Sequence, residues 1–152
     1  YKNIKTRNNK MKKKILIVVS NYYDNLSNNL ISNCLKTLKK EKIIVKIVKV
    51  SGTFEIPLII SKNSKKYDAF IALGCVIKGE TPHFDYISTE SARGIANLSI
   101  KSDIPIINGI ITTETAQHAY DRASKTGKNK GWEAMEAALH TISVYKSMQI
   151  SS

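Results

Sequence analysis

Short apolar runs alternate along the chain with amphipathic stretches of helical period. Residues 15–19 are a continuous apolar run rich in β-branched side chains, which is typical of a strand buried on both faces. Residues 25–40 repeat apolar side chains at helical spacing and so predict a helix with one apolar face. A second strand is predicted at 43–50, and a second helix at 54–62 with Pro57 in its first turn.

The alternation continues to the end of the chain. Residues 69–77 predict a third strand, residues 84–101 a long helix, and residues 104–111 a fourth strand. Two further helices are predicted at 113–123 and, after a break at 124–131, at 132–148. Such alternation predicts an α/β fold, with a four-stranded parallel sheet between two layers of helices.

Size and composition favour one domain in a reducing compartment. The chain has 152 residues, of which 42% are hydrophobic, so it can bury a single core. No apolar run approaches the roughly 20 residues that cross a bilayer, and the first residues do not resemble a secretion signal. Cys34 and Cys75 lie far apart and in no metal-ligand spacing, so we expect buried thiols and no metal site. We expect a soluble, cytoplasmic protein without a membrane partner.

The positive charge is concentrated near the amino terminus. The net charge is +12, and many of the basic residues precede the first predicted strand. A nucleic-acid-binding arm and a disordered tail both fit this pattern. The second interpretation is favoured because no aromatic interleaving or nucleic-acid motif accompanies the charge. We therefore expect a disordered basic tail at 1–12, one domain at 13–150, and no nucleic-acid partner.

Candidate chemistry follows the predicted strands, because ligands of open parallel sheets bind beyond the carboxyl ends of strands. Polar and aromatic residues occupy the segments 20–24, 51–55, 78–83 and 112–114. Neither G-x-x-x-x-G-K-[ST] nor G-x-G-x-x-G occurs, which argues against a P-loop enzyme and a standard dinucleotide fold.

The third of these segments combines a possible anion site with a titratable side chain. Gly79, Glu80 and Thr81 can cradle a phosphate with backbone amides and a hydroxyl. His83 follows them, and histidine is the side chain best suited to proton transfer near neutral pH. Taken alone, a loop histidine is more often structural than catalytic.

Four sequence blocks resemble the lumazine synthase family. They are SGTFEIP at 51–57, LGCVIKGETPHFDY at 73–86, PIINGIITTE at 105–114, and DRA at 121–123 with NKGWEA at 129–134. Each block is moderately specific, but their order and spacing are typical of that family. The resemblance extends over most of residues 15–148 and implies a flavodoxin-like, three-layer α-β-α sandwich.

The resemblance implies a transferase that needs no cofactor and acts on two small molecules. An amine of 5-amino-6-(D-ribitylamino)uracil attacks the ketone of 3,4-dihydroxy-2-butanone 4-phosphate, and a Schiff base forms. Phosphate is then eliminated, and closure of the second ring gives 6,7-dimethyl-8-ribityllumazine in riboflavin biosynthesis. His83 matches the family's proton-transfer histidine, and Arg122 matches its phosphate-binding arginine.

The remaining site residues are also implied by the resemblance. Tyr22 takes the aromatic position that stacks on the pyrimidine, where the family more often has Phe or Trp, whereas Tyr23 is expected to be structural. Pyrimidine and ribityl contacts are expected from Thr53, Phe54, Glu55, Cys75, Val76 and Ile77, and phosphate contacts from Gly79, Glu80 and Thr81. Cys75 is expected to offer backbone groups rather than a nucleophilic thiol.

In this family, residues at three further positions complete the pocket of a neighbouring subunit. They correspond here to Asn108, Arg122 and Lys130. The resemblance therefore implies a homopentamer, alone or in a higher assembly of pentamers. One departure concerns Lys128, which replaces a customary glycine and puts the local loop geometry in doubt.

Three other interpretations were weighed. An archaeal-type riboflavin synthase is disfavoured by the T-P-H-F stretch at 81–84. A flavin or lumazine carrier, or a non-catalytic shell protein, could dispense with His83 or Arg122, but both are present. A nucleic-acid-binding module would depend on residues 1–14.

Overall fold

Four parallel strands form the central sheet of the protein. The computed structural model describes residues 12–38, 42–124 and 129–148. The strands are β1 (Lys13–Ser20), β2 (Ile43–Val50), β3 (Ala69–Ile77) and β4 (Ile106–Thr113). Their order is β2-β1-β3-β4, and every neighbouring pair is parallel. This is a flavodoxin-like order, in which the chain moves outward from β1 in one direction and then in the other.

Helices follow the strands along the chain. In the described part they are α1 (Asp24–Leu35), α2 (Ile56–Lys62), α3 (His83–Lys101), α4 (Ala116–Ala123) and α5 (Lys130–Ser147). Short 3₁₀ turns at Lys36–Leu38 and Thr53–Glu55 flank α1 and α2.

Two hydrophobic clusters pack on opposite faces of the sheet. One joins α1, α4 and α5 to the face that carries Ile15, Ile17 and Val19. The other joins α2 and α3 to the face that carries Leu16 and Val18. Burial of each such side chain stabilises the fold by about 1.5–3 kcal/mol, and it explains why residues 15–19 are apolar without interruption. The predicted three-layer α-β-α sandwich is confirmed.

The prediction for the fourth strand was two residues too early at both ends. Pro105 lies before β4, where its carbonyl oxygen accepts a hydrogen bond from the backbone N–H of Phe70 at 2.9 Å. Thr112 and Thr113, predicted as loop and helix start, belong instead to the strand and pair with Val76 and Ile77.

Local capping decides where the last two helices begin. Thr115 caps α4, because its hydroxyl oxygen accepts a hydrogen bond from the N–H of His118 at 3.2 Å. Asn129 caps α5 in the same way through the N–H of Trp132 at 3.0 Å. The predicted starts at 113 and 132 were therefore wrong by a few residues in opposite directions.

Other predicted boundaries were wrong near the helix ends or fall outside the described residues. Helix α1 ends at Leu35 and continues as a 3₁₀ turn, whereas the prediction extended to residue 40. The segment 53–55 is a 3₁₀ turn that leads into α2. Of the predicted tail at 1–12, the description includes Lys12 alone, and Lys128 also lies outside the described residues.

Helices α1 and α5 approach each other closely at Gly131. A Cβ atom there would collide with the carbonyl oxygen of Leu30 and lie 3.1 Å from the Cβ of Asn33. The absence of a side chain at this residue therefore allows the two helices to pack against each other.

We predict that Gly131→Ala lowers the free energy of unfolding by about 1–3 kcal/mol, because the helices must separate to accommodate the methyl group. Urea denaturation measures the change. Gly79→Ala is the stability control, since no atom lies within 4 Å of a Cβ at that position. Equal stability of Gly131→Ala and the unmodified protein would contradict the packing described.

Candidate active site

A cleft of about 540 Å³ opens at the carboxyl ends of β1, β2 and β3. Strands β1 and β3 are neighbours in the sheet, and the chain leaves them in opposite directions, so this is the topological switch point where α/β proteins bind ligands. The volume lies within the range of small-molecule sites. The cleft is lined by Ser20, Tyr22, Tyr23, Ser51, Gly52, Thr53, Phe54, Glu55, Cys75, Val76, Ile77, Gly79, Thr81, His83, Phe84 and Ile87.

The floor of the cleft depends on a close approach of three chain segments at Gly74. A Cβ at this residue would lie 2.9 Å from Cγ2 of Thr53 and 3.0 Å from Cβ of Ser20. Thr53 is buried, and its Oγ1 accepts a hydrogen bond of 3.1 Å from the buried hydroxyl of Ser91 on α3. The absence of a side chain at Gly74 therefore lets β1, β3 and the turn after β2 approach closely, and the hydroxyl pair joins that turn to α3.

Two adjacent tyrosines form the aromatic wall of the cleft. The rings of Tyr22 and Tyr23 meet edge to face, with centroids 4.9 Å apart and an interplanar angle of 77°. Tyr22 is 73% exposed, whereas Tyr23 is partly buried against the core cluster that includes α1. The exposed ring is therefore free to stack on a flat ligand.

His83 is the first residue of α3 and lies exposed at the mouth of the cleft. The loop before it includes Gly79 and Thr81, and Oγ1 of Thr81 accepts a weak hydrogen bond of 3.4 Å from the backbone N–H of His83. Backbone N–H groups at the start of this long helix favour an anion. A side chain suited to proton transfer therefore lies beside a helix start that favours an anion.

The structure brings together ten of the predicted site residues. They are Tyr22, Thr53, Phe54, Glu55, Cys75, Val76, Ile77, Gly79, Thr81 and His83. Glu80 is exposed in the loop between them and does not line the cleft.

Three predicted residues lie elsewhere. Arg122 and Lys130 line a separate cavity of about 260 Å³ together with Glu133 and β4. Asn108 is exposed on β4, where its Oδ1 accepts a hydrogen bond of 3.0 Å from the N–H of Ile110. Strand β4 is one of the two edge strands of the sheet. These three side chains therefore lie on or beside an outer edge of the fold and not in the cleft of their own chain.

Sequence reasoning did not assign several residues that line or support the cleft. Ser20 and Ser51 lie at strand ends, Phe84 follows His83, and Ile87 lies one helical turn after it. Their spacing relative to the predicted strands and to His83 was a usable signal. The hydrogen bond from Ser91 to Thr53 leaves no signal in the sequence, because the two residues are 38 positions apart.

A larger cavity of about 990 Å³ lies at the opposite end of the sheet, around the start of β1. Lysines including Lys13, Lys66 and Lys101 line it, and it contains none of the predicted site residues. Ligand sites of parallel sheets lie at the carboxyl ends of strands, so the smaller cleft is the candidate active site.

Both thiols are held in the protonated form. Burial raises the pKa of Cys75 to about 11 and that of Cys34 to about 12. Thiolate is the nucleophilic form of cysteine, so neither residue is suited to nucleophilic catalysis at neutral pH.

The described ranges contain neither a metal-binding cluster nor a membrane-spanning helix. Within residues 12–38, 42–124 and 129–148, no group of three His, Cys, Asp or Glu side chains is placed to hold a metal ion. Over the same part of the chain, no helix combines the length and apolar character needed to cross a bilayer.

The parallel sheet, the cleft at its switch point and the histidine at the mouth of the cleft define an α/β enzyme that acts on a small molecule. A family model described as 6,7-dimethyl-8-ribityllumazine synthase matches residues 12–146. The chain therefore belongs to the 6,7-dimethyl-8-ribityllumazine synthase family, the lumazine synthases, as the sequence blocks predicted. It is a transferase of riboflavin biosynthesis.

We predict that native protein at pH 7.5 reacts slowly with iodoacetamide and that urea unfolding exposes both thiols to rapid labelling. Mass spectrometry of the labelled peptides measures each rate. Because burial disfavours both thiolates, the stability of the fold should decrease as the pH rises above 9, towards 11 for Cys75 and towards 12 for Cys34. Rapid labelling of Cys75 in folded protein at pH 7.5 would contradict the assignment.

Proposed function

We propose that the cleft at the ends of β1, β2 and β3 is where this lumazine synthase binds its pyrimidine substrate and forms the second ring of the product. The observation that supports this most strongly is the convergence of an exposed aromatic ring, a polar 3₁₀ turn, a strand end and a histidine in one cleft. No separate segment has to move to bring these groups together.

The pyrimidine and its ribityl chain are assigned to the inner part of the cleft. Tyr22 stacks on the heterocycle, because its ring is exposed and lies at the wall. Backbone groups at the end of β3, at Cys75–Ile77, pair with the edge of the heterocycle. Glu55 accepts hydrogen bonds from ribityl hydroxyls, with Thr53 and Phe54 beside it.

Proton transfers are assigned to His83. The amine nitrogen adds to the ketone carbon of the sugar phosphate, and loss of water gives a Schiff base. Elimination of phosphate leaves a carbonyl on the neighbouring carbon, and attack of the ribityl-bearing amine on that carbonyl with loss of a second water closes the ring. Protons must leave the amines and reach the departing oxygens, and an imidazole at the mouth of the cleft can carry them.

The phosphate is assigned to the loop before α3. Backbone groups of Gly79, Glu80 and Thr81 lie at the start of this helix, which favours a negative charge. A planar guanidinium binds phosphate through two hydrogen bonds, and Arg122 is the proposed donor. Arg122 lines a different cavity of its own chain, which supports a donor from a second copy.

The proposed minimal active unit is a homopentamer, as the family resemblance implies, with Asn108, Arg122 and Lys130 of one subunit completing the cleft of the next. Their position on and beside the edge strand supports this assignment, because an edge is available to a neighbouring chain. Further association of pentamers, and residence in the cytoplasm, belong to the same proposal.

A direct assay tests the proposed site. Purified protein is mixed with both substrates, and the absorbance and fluorescence of the lumazine are followed against the spontaneous reaction. We expect the lumazine to form far faster than in the spontaneous reaction. We also expect that binding of the pyrimidine in the cleft protects the backbone amides of residues 75–77 from hydrogen exchange. Protection confined to the cavity around Lys13 and Lys101 would contradict the site.

We predict that His83→Ala lowers kcat roughly a hundredfold or more, because positioned acid-base groups contribute at least that factor. The affinity for the pyrimidine should change much less. His140→Ala is the matched control, since His140 is an exposed histidine on α5. Equal losses in kcat and in pyrimidine affinity would argue against proton transfer by His83.

We predict that Arg122→Ala raises the KM for the sugar phosphate about 10–100-fold, because a charged hydrogen-bond partner contributes about 1.5–3 kcal/mol. The KM for the pyrimidine should remain close to that of the unmodified enzyme. Arg93→Ala is the control, since Arg93 is an exposed arginine paired with Glu90 on the surface of α3. An unchanged KM for the sugar phosphate would contradict the role of Arg122.

A further inference from the structure

Tyr23 lies directly beside the ring that is proposed to stack on the pyrimidine. The two tyrosine rings meet edge to face at 4.9 Å, and both line the cleft. The sequence prediction treated Tyr23 as structural, so its contact with Tyr22 has no role in the function described above.

The Tyr22 ring needs a contact that fixes its orientation. It is 73% exposed, so most of its surface touches no other part of the chain. An exposed side chain populates several staggered rotamers, and binding in one of them costs conformational entropy. Among the described residues, Tyr23 provides the ring contact that limits this freedom.

Tyr23 is itself held in place by the surrounding backbone and core. The hydroxyl of Ser27 lies 2.9 Å from the carbonyl oxygen of Tyr23 and 2.5 Å from that of Ser20. The backbone N–H of Asn21 donates to the carbonyl oxygen of Val50 at 2.8 Å. Because the ring also packs partly buried against the core, Tyr23 is the fixed partner of the pair.

The phenol of Tyr23 remains neutral in the cleft. Burial, followed by the nearby Tyr22 and Cys75 groups, raises the pKa of Tyr23 above its ordinary value of 10.0. A charged phenolate is therefore absent at neutral pH, so the effect of Tyr23 on Tyr22 does not come from a negative charge.

We propose that Tyr23 is a positioning residue that holds the ring of Tyr22 in the orientation that stacks on the pyrimidine. The inference rests on the proposed stacking role of Tyr22. It assigns Tyr23 no contact with the sugar phosphate. Removal of its ring should therefore weaken pyrimidine binding and leave the KM for the sugar phosphate unchanged.

The test compares Tyr23→Leu, Tyr23→Phe, Tyr22→Leu and the double leucine variant. The dissociation constant of 5-amino-6-(D-ribitylamino)uracil and the KM of each substrate are measured for each protein, with thermal unfolding as a check on folding. Tyr23→Met replaces Tyr23→Leu if the leucine variant does not fold, because methionine fills a similar volume without a ring.

We expect Tyr23→Leu to weaken pyrimidine binding about three- to tenfold, the effect of losing one aromatic pair, and to leave the KM for the sugar phosphate unchanged. Tyr23→Phe should retain full affinity because it retains the ring. In the Tyr22→Leu background, removal of the Tyr23 ring should add no further loss, since its effect is transmitted through Tyr22.

Additive losses in the double variant, or equal losses for both substrates, would overturn the positioning role. Full pyrimidine affinity in Tyr23→Leu would overturn it as well. If Tyr22→Leu itself retains full affinity, the stacking role proposed for Tyr22 fails and the inference fails with it. The two failures are distinguishable, because the first leaves Tyr22→Leu impaired.

Discussion

The close approach of three chain segments at Gly74 is the constraint on which the rest of the site depends. Any side chain at this residue would overlap Thr53 and Ser20, from the turn after β2 and the end of β1. The strands that meet here are buried on both faces, so they cannot shift without exposing the core. Packing of the sheet therefore determines where the walls of the cleft lie.

This arrangement places two kinds of wall around one opening. The backbone after β2 and the end of β3 provide polar groups, while Tyr22 provides a flat apolar surface. A heterocycle that carries a polyhydroxylated chain needs both, because its faces are apolar and its edges form hydrogen bonds. Among the described residues, none that lines the cleft carries a guanidinium for a phosphate, and Arg122 lies beside the edge strand.

Hydrophobic periodicity was sufficient to predict the second and third strands at their observed bounds, residues 43–50 and 69–77. Strand β3 is buried over most of its length, and β2 alternates partly buried with exposed residues, so each leaves a clear hydrophobic pattern in the sequence. The starts of α4 and α5 were misplaced because the capping hydrogen bonds of Thr115 and Asn129 decide them, and β4 begins only after Pro105. Such bonds leave little periodic signal in a sequence.

The candidate site was predictable in a similar, partial way. Residues at strand ends, such as Cys75, and His83 at the start of α3 could be placed from the pattern and the family resemblance. The edge-to-face pair of Tyr22 and Tyr23 and the support of Thr53 by Ser91 could not, because they depend on side-chain geometry and on tertiary contacts. Which side chains share a cleft becomes known only when the strand order is known.

The central claim is that each active site combines the cleft of one chain with the edge-strand residues of another. Co-expression of differently tagged His83→Ala and Arg122→Ala chains, followed by isolation of the mixed oligomers, tests it most directly. When equal amounts of the two chains mix at random, about a quarter of the sites combine an intact His83 with an intact Arg122. The condensation rate at low sugar phosphate should therefore recover to about a quarter of the rate of the unmodified enzyme. Mixed oligomers no more active than the average of the two separate variants would contradict a shared site.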